Sequence, residues 1–454
     1  MTPRLAPSDA IVPPREVVEI AERLEQAGHE AWCVGGAVRD ALLGHPHLDW
    51  DLATSATPAR VRELFGARRT IPVGAEFGTV GVLDRAGRLH EVTTFRRDVR
   101  TDGRHAEVEF GVSLDDDLAR RDFTINAIAF HPLRFELRDP LGGRADLERG
   151  VVRAVGDPEA RMREDRLRAL RAIRFAARLD FEIDPATWRA IVDSAPHLGR
   201  LSAERVKQEL EKTVEQVRVP SRAFARWRDS GAFATLVPAL GSLDDGALAV
   251  VDCLAWPAHA AAEPHLRRRR LLRLVGLLLP LGGEAAGRVL GALRFSKHDT
   301  SLAATVVARA HVPGLEIERA LTSREGLDDA SVRRWVAAIG RLNVSLVMRV
   351  LAARWEAERA RGMAAPGARA VHSLHRRLLR SAFHDPVELR DLAVDGDDLR
   401  RAGIPAGPGL GKILHALLER VVDDPTRNQP EWLAAEAVRL QREAGGDDGS
   451  RQGA

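Results

Sequence analysis

Two acids set two residues apart, Asp49 and Asp51, follow closely on a glycine pair and an arginine in the run Val34-Gly35-Gly36-Ala37-Val38-Arg39-Asp40. In an extended segment such residues point the same way, so both carboxylates would leave one face roughly 6.6 Å apart along the strand. Hard oxygen donors of this kind suit Mg2+. Glycines at a strand-to-helix turn let backbone N–H groups approach an anion, and the start of the next helix adds positive potential. A guanidinium at Arg39 could clamp phosphate. Acids beside a phosphate cradle are what a metal-dependent nucleotidyl transfer needs: cations neutralise the phosphates and activate the attacking hydroxyl. Taken singly, the glycine pair is an ordinary turn and the Asp-x-Asp an ordinary solvated edge. Only the combination points to chemistry.

Several elements must hold these residues in place. A strand is expected over residues 30–34, then a helix over 37–43 stopped by Gly44 and Pro46, then a strand carrying the acids. A helix before them, residues 14–26, repeats Val17, Ile20, Ala21 and Leu24, and Thr57-Pro58 starts another through residue 65. Strands over 78–83 and 89–95 flank the turn Asp84-Arg85-Ala86-Gly87. Glu91 shares a facing with Thr93 and is either a third acid or an exposed strand residue. Residues 96–110 are polar and poorly periodic, which predicts a mobile loop. A helix is expected over 118–130, packing Phe123, Ile125 and Ile128 on the sheet with Arg120, Arg121, Asp122 and Asn126 near its start.

Residues 161–179 predict one amphipathic helix, with Leu167, Leu170, Ile173 and Ala177 on one side. Asp165, Arg168 and Arg171 climb the other side at three-residue spacing, the pattern of a solvated salt-bridged face as much as of a site. Beyond them, helices separated by Gly and Pro continue to a polar tail over 443–454.

At 454 residues the chain is too long for one core, and 45% hydrophobic with 29% charged residues describes a folded soluble protein. Net charge is +3, but the cations are almost all arginine, since only Lys207, Lys212, Lys297 and Lys412 are lysines. Small net charge leaves nucleic-acid binding open, because basic residues can gather on one face. Cys33 and Cys253 lie too far apart in sequence for a disulfide framework or a cysteine metal site, which fits a reducing cytoplasm. No apolar signal core opens the chain, and the run 271–281 is broken by Arg273, so no membrane partner is expected. His298-Asp299 and His384-Asp385 stand without companion ligands. Gly407-Pro408-Gly409-Leu410-Gly411-Lys412 lacks P-loop spacing, although such a helix start could touch an RNA phosphate.

The motifs VGGAVRD, DWDLATSA, TTFRRDVRTDGRHAEVEF, RRDFTINAIA, DPLGGRADL and EDRLRALRAIRFAARL occur in that order, followed late by LAVDGDDLRRAGIPAGPGLGKILHALLERVVDDPTRN. This set resembles the class II tRNA nucleotidyltransferase and poly(A) polymerase family, most like its bacterial CCA-adding enzymes. The resemblance implies an α+β fold: a head with a mixed β-sheet, similar to DNA polymerase beta, followed by all-helical neck, body and tail. Its expected boundaries are a disordered 1–14, head 15–156, neck 157–218, body 219–330, tail 331–442 and a disordered 443–454. The implied activity adds CMP and AMP from CTP and ATP to the 3′ end of tRNA, with Mg2+ on Asp49 and Asp51. Gly35, Gly36 and Arg39 would hold the triphosphate, Arg121 and Asp122 the sugar or phosphates. Asp165 and Arg168 would read the base, with Arg171 and Arg174 nearby.

Base reading is chemically coherent. Cytosine and adenine both present an amine beside a ring-nitrogen acceptor, which an Asp–Arg pair complements. Uracil and guanine reverse that pattern, and mispairing buried polar groups supports roughly 10⁴-fold discrimination. In the family that the chain resembles, CC-adding enzymes lack a working version of the segment 97–110, so the resemblance disfavours a CC-only product. A-only addition, poly(A) synthesis, or an inactive RNA-binding relative stay open, as does the oligomeric state.

Overall fold

The computed structural model describes residues 5–7, 10–45, 49–74, 77–101, 106–256, 263–323 and 327–447. The expected disorder over 1–14 and 443–454 falls partly outside them. The chain divides into two compact units, Met1–Ser242 and Leu243–Ala454.

Unit one opens with α1 (Arg15–Gln26), β1 (Ala31–Val34), α2 (Gly36–Leu42), β2 (Asp51–Thr54), α3 (Pro58–Phe65), β3 (Thr70–Pro72), β4 (Thr79–Leu83) and β5 (Leu89–Thr94). Then come β6 (Arg96–Thr101), β7 (Ala106–Phe110), α4 (Leu114–Ala119), β8 (Ala129–His131), β9 (Glu136–Arg138), α5 (Gly143–Arg149) and β10 (Val151–Val152). It closes with α6 (Pro158–Glu164), α7 (Leu167–Leu179), β11 (Glu182–Ile183), α8 (Pro185–Ser194), α9 (Ala203–Gln216), α10 (Pro220–Asp229) and α11 (Ala232–Leu236). This is an α+β arrangement, as expected.

Seven strands form one mixed sheet in the order β3-β4-β5-β2-β1-β8-β9. Neighbours are antiparallel except β2 and β5, which run parallel with Leu52 beside Val92 and Ala53 beside Thr93. All four residues of β1 are buried, as a central strand covered on both faces requires. Trp32, Val34, Ala53 and Phe95 pack with Leu114 and Leu118 of α4 on one face. α1 turns Val17, Ile20, Ala21 and Leu24 inward. α3 starts where Pro58 needs no N–H partner and Thr57 accepts from the Arg60 N–H.

Three expectations give way. The helix over 118–130 is instead α4, a 3-10 turn at Thr124–Asn126 and strand β8. Phe123 is extended and bridges Ala154, its N–H donates to Asp122 Oδ1, and the Thr124 N–H donates to the Arg153 carbonyl, so neither amide is free to bond at i−4. The loop over 96–110 is the hairpin β6–β7, with Arg97 opposite Glu109 and a register shift between Asp98 and Arg100. The first of its strands, Arg96-Arg97-Asp98-Val99-Arg100-Thr101, is almost wholly polar in sequence and offers no apolar alternation to read. Residues 102–105 lie outside the described residues. The helix over 161–179 breaks at Asp165, where φ is −145° and ψ is 105°. The Asp165 carboxylate accepts from the Leu167 N–H at 3.0 Å, a local bond that competes with helix continuation.

Unit two is helical throughout its described residues: α12 (Asp245–Ala249), α13 (Glu263–Leu278), α14 (Gly283–Ala292), α15 (Lys297–Thr322), α16 (Asp329–Ile339), α17 (Val344–Ala360), α18 (Ala368–His384), α19 (Gly396–Arg401), α20 (Pro408–Asp423) and α21 (Pro430–Asp447). Leu399, Ile413, Leu417, Val421 and Leu433 form one of its cores. Asp299, from one of the isolated His-Asp dipeptides, pairs with Ser296 at the start of α15 and with Arg267. Among the described residues no single helix is long and apolar enough to cross a membrane.

Candidate active site

Gly35 turns the chain from β1 into α2 at φ +75°, a conformation that favours glycine. A Cβ there would lie 3.3 Å from Arg121 Nη1, so the absent side chain lets that guanidinium settle over the turn. Two residues beyond Asp49, β2 begins at Asp51. Both acids are exposed, whereas Trp50 between them is 4% exposed and anchors the strand entry.

Asp51 opens into a cavity of about 350 Å³. Its sheet wall is Val34, Asp51, Glu91, Thr93 and Thr79. Glu91 stands beside Asp51, one step back along both strands from the Leu52–Val92 pair. Arg96, Arg120, Arg121 and Asp122 form a second wall, and Asp165, Arg168 and Arg171 a third. Four acids and five arginines thus meet in one small volume, a setting for a polyanion and cations together.

Buried acids orient these arginines. Asp117, fully buried, binds Arg120 at 2.7 Å and Arg121 at 3.1 Å. Burial pushes its carboxyl up, but the two guanidiniums hold it below the usual carboxylate value. Asp122 accepts two N–H bonds from Arg171, at 2.9 and 2.7 Å, and one from Asn126 at 2.9 Å. Burial opposes its charge too, and Arg171 with Asn126 prevails, so Asp122 is an anion in the fold. Glu164 holds Arg168 at 2.7 Å and Arg161 at 2.7 Å, and Arg205 of α9 holds Asp165 at 2.7 Å. Beneath the sheet wall, burial and then the Asp51 charge push the Cys33 thiol up, which keeps it protonated.

Of the residues singled out in the sequence, Asp51, Arg121, Asp122, Asp165, Arg168 and Arg171 converge on the cavity. Asp49 and the Gly35–Gly36 turn adjoin Asp51 and Arg121. Arg39 and Arg174 lie elsewhere. Arg39 is 1% exposed, bound to Asp40 at 2.7 Å and to Asn126 Oδ1 at 2.6 Å, with its guanidinium 5.0 Å above the Phe175 ring. Arg178 of α7 completes that network on Asp40 at 2.9 Å. Arg174 is 3% exposed and pairs with Glu209 at 2.7 Å. Sequence reasoning missed Asp117, Glu164, Arg205 and Glu209. Only the first two left a signal, as acids three or four residues before the arginines they hold.

The family profile described as "Poly A polymerase head domain" matches residues 31–153, and "Probable RNA and SrmB-binding site of polymerase A" matches residues 180–243. A tRNA nucleotidyltransferase domain 2 profile matches residues 374–437. Fold and site together are those of a nucleotidyltransferase with a poly(A) polymerase type of head. The CCA-adding enzyme of Geobacillus stearothermophilus is 35% identical over 428 residues, 93% of this chain and 96% of that protein. A crystal structure of the Bacillus stearothermophilus CCA-adding enzyme in complex with CTP superposes with a TM-score of 0.72 at 32% identity, covering 95% of this chain and 98% of that one. The Thermotoga maritima CCA-adding enzyme complexed with tRNA shares the fold, with a TM-score of 0.62 at 22% identity over 95% of this chain and 97% of that one. The chain belongs to the class II tRNA nucleotidyltransferase and poly(A) polymerase family, among its CCA-adding enzymes.

Proposed function

We propose that this protein adds CMP and AMP, taken from CTP and ATP, to the 3′ end of tRNA and so builds or repairs the CCA terminus. The observation that carries this reading is the meeting of carboxylates from the sheet, guanidiniums around the Gly35 turn and an Asp–Arg pair from the α6–α7 break in one cavity. Arg121 over Gly35 and neighbouring Arg120 would hold the triphosphate. Asp165 would accept from the amine of cytosine or adenine while Arg168 donates to the ring nitrogen. Glu164 and Arg205 fix both groups, so a base with reversed polarity cannot reorganise them. Arg39 and Arg174 act beneath the site by holding α2, Asp122 and α7 in register.

The donor set fits Mg2+. Among the described residues no three acids, histidines or cysteines gather into a protein-only cage. Mg2+ is commonly held by one or two carboxylates together with substrate phosphates, and Asp49 and Asp51 would supply the carboxylates. When bound, it lowers the charge on the phosphates and the pKa of the attacking hydroxyl. A bond from the terminal 3′-oxygen to the α-phosphorus forms as the bond to pyrophosphate breaks, and the hydroxyl proton is released. Purified protein given tRNA ending at the discriminator base, or after one or two cytidines, with CTP and ATP should add C, C and A in turn and stop. Incorporation of ATP only after two cytidines would make it an A-adding enzyme, long adenosine ladders a poly(A) polymerase, and no incorporation would end the reading.

A further inference from the structure

The sheet wall of the cavity has a direction. It starts at the Gly35 turn ending β1, crosses Asp51 on β2 and Glu91 on β5, and reaches Thr93 on β5 and Thr79 on β4. With strands about 4.8 Å apart, Thr93 lies one strand spacing beyond β2 and Thr79 two, both on the side away from Gly35. Nucleotidyl transfer sets the attacking and leaving oxygens in line across the phosphorus. If pyrophosphate departs toward Arg121 over Gly35, the attacking hydroxyl enters from the β5–β4 side. The threonines are therefore on the acceptor's side of the acids.

Their chemistry suits a ribose. Thr79 and Thr93 are cross-strand partners, and their hydroxyl oxygens are 3.0 Å apart. Among the described residues that is the only side-chain hydrogen bond either makes. One hydroxyl proton is used between them, which leaves the other proton to donate and lone pairs on both oxygens to accept. A 2′-hydroxyl is likewise both donor and acceptor, and it is the group that separates RNA from DNA. Arg96 at the same rim, whose side chain donates to the Phe77 carbonyl, adds positive charge where the acceptor's phosphates would pass.

We infer that the Thr79–Thr93 hydroxyl pair binds the 2′-hydroxyl of the acceptor's terminal ribose and aims its 3′-hydroxyl at the carboxylates. The inference rests on the transferase reading above and extends it to a residue pair that selects an RNA terminus over a DNA terminus. The experiment measures kcat/KM for one nucleotide addition to two tRNAs that differ only in a ribose or 2′-deoxyribose at the 3′ residue. Wild-type protein should favour the ribose by about tenfold, the worth of one good hydrogen bond. In Thr79→Val/Thr93→Val the preference should fall toward one, through loss on the ribose substrate alone. Thr93→Ser, which keeps the hydroxyl, should retain it. A merely structural role would slow both substrates equally and leave the ratio intact, which would overturn the inference. Equal use of the two acceptors by wild-type protein would overturn it without any variant. Failure of wild-type protein to extend either acceptor would instead refute the transferase reading itself.

Discussion

Replacing Glu209 by alanine removes the counter-ion of an arginine that has nowhere else to go. Arg174 and Glu209 side chains are 4% and 2% exposed and meet at 2.7 Å. Arg174 Nη1 also reaches Gln216 Oε1 at 3.1 Å, and its guanidinium lies 4.4 Å from the Phe175 ring centre. Burial pulls the Arg174 pKa down, and the partner acid keeps the guanidinium charged at neutral pH. Breaking a buried pair by deleting one partner costs about 3–5 kcal/mol, because the remaining charge stays desolvated. In a unit of 242 residues, where each kcal/mol moves Tm by about 2–4 °C, that predicts a fall of about 6–20 °C. Arg174→Ala should cost less, since Lys212 Nζ lies 3.8 Å from Glu209 and can take over part of the pairing. The double variant should be more stable than the sum of the singles by about 0.5–3 kcal/mol. Calorimetry and urea unfolding of the four proteins measure this directly. KM for CTP in folded Arg174→Ala, read at a temperature where it is native, should stay near wild type. Unchanged stability with a tenfold rise in KM would refute the interior role and return Arg174 to the nucleotide.

Asp49→Ala or Asp51→Ala should lower transfer at least about a thousandfold while Tm hardly moves, because both side chains are exposed; a retained rate would remove them from the chemistry. Arg168→Ala should cut the preference for CTP over UTP by at least about a hundredfold, measured by competition, and a preserved ratio would free the base-reading assignment from this residue. Gly35→Ala forces a side chain to φ +75° and toward Arg121, so a stability loss of about 1–3 kcal/mol and a raised KM for nucleotide are expected in the same protein. Asp84 is opposed by burial but held below the usual carboxylate value by the Arg88 N–H, His90 and the Ala86 N–H. Its stabilisation is therefore full above pH about 4 and is lost as pH falls through the folded value, so Asp84→Asn should flatten the acid side of the stability profile.

Local chemistry decided much of this protein before any folding. Gly35, Asp49 and Asp51 were legible because a positive-φ turn and a strand's two-residue alternation are written in adjacent residues. The same holds for α3, where Thr57-Pro58 both starts and caps the helix. Tertiary structure alone decided which charges line the cavity and which lie beneath it. Asp165, Arg168, Arg171 and Arg174 look alike along one stretch of sequence. Only the break at Asp165, the approach of α9 with Arg205 and Glu209, and the approach of Asp122 from the segment after α4 separate them. The buried pairing of Arg39 was not legible for the same reason: its partner Asn126 lies 87 residues away. A guanidinium binds whichever anion or carbonyl the fold brings within about 3 Å, and that distance is set by packing between segments remote in the chain.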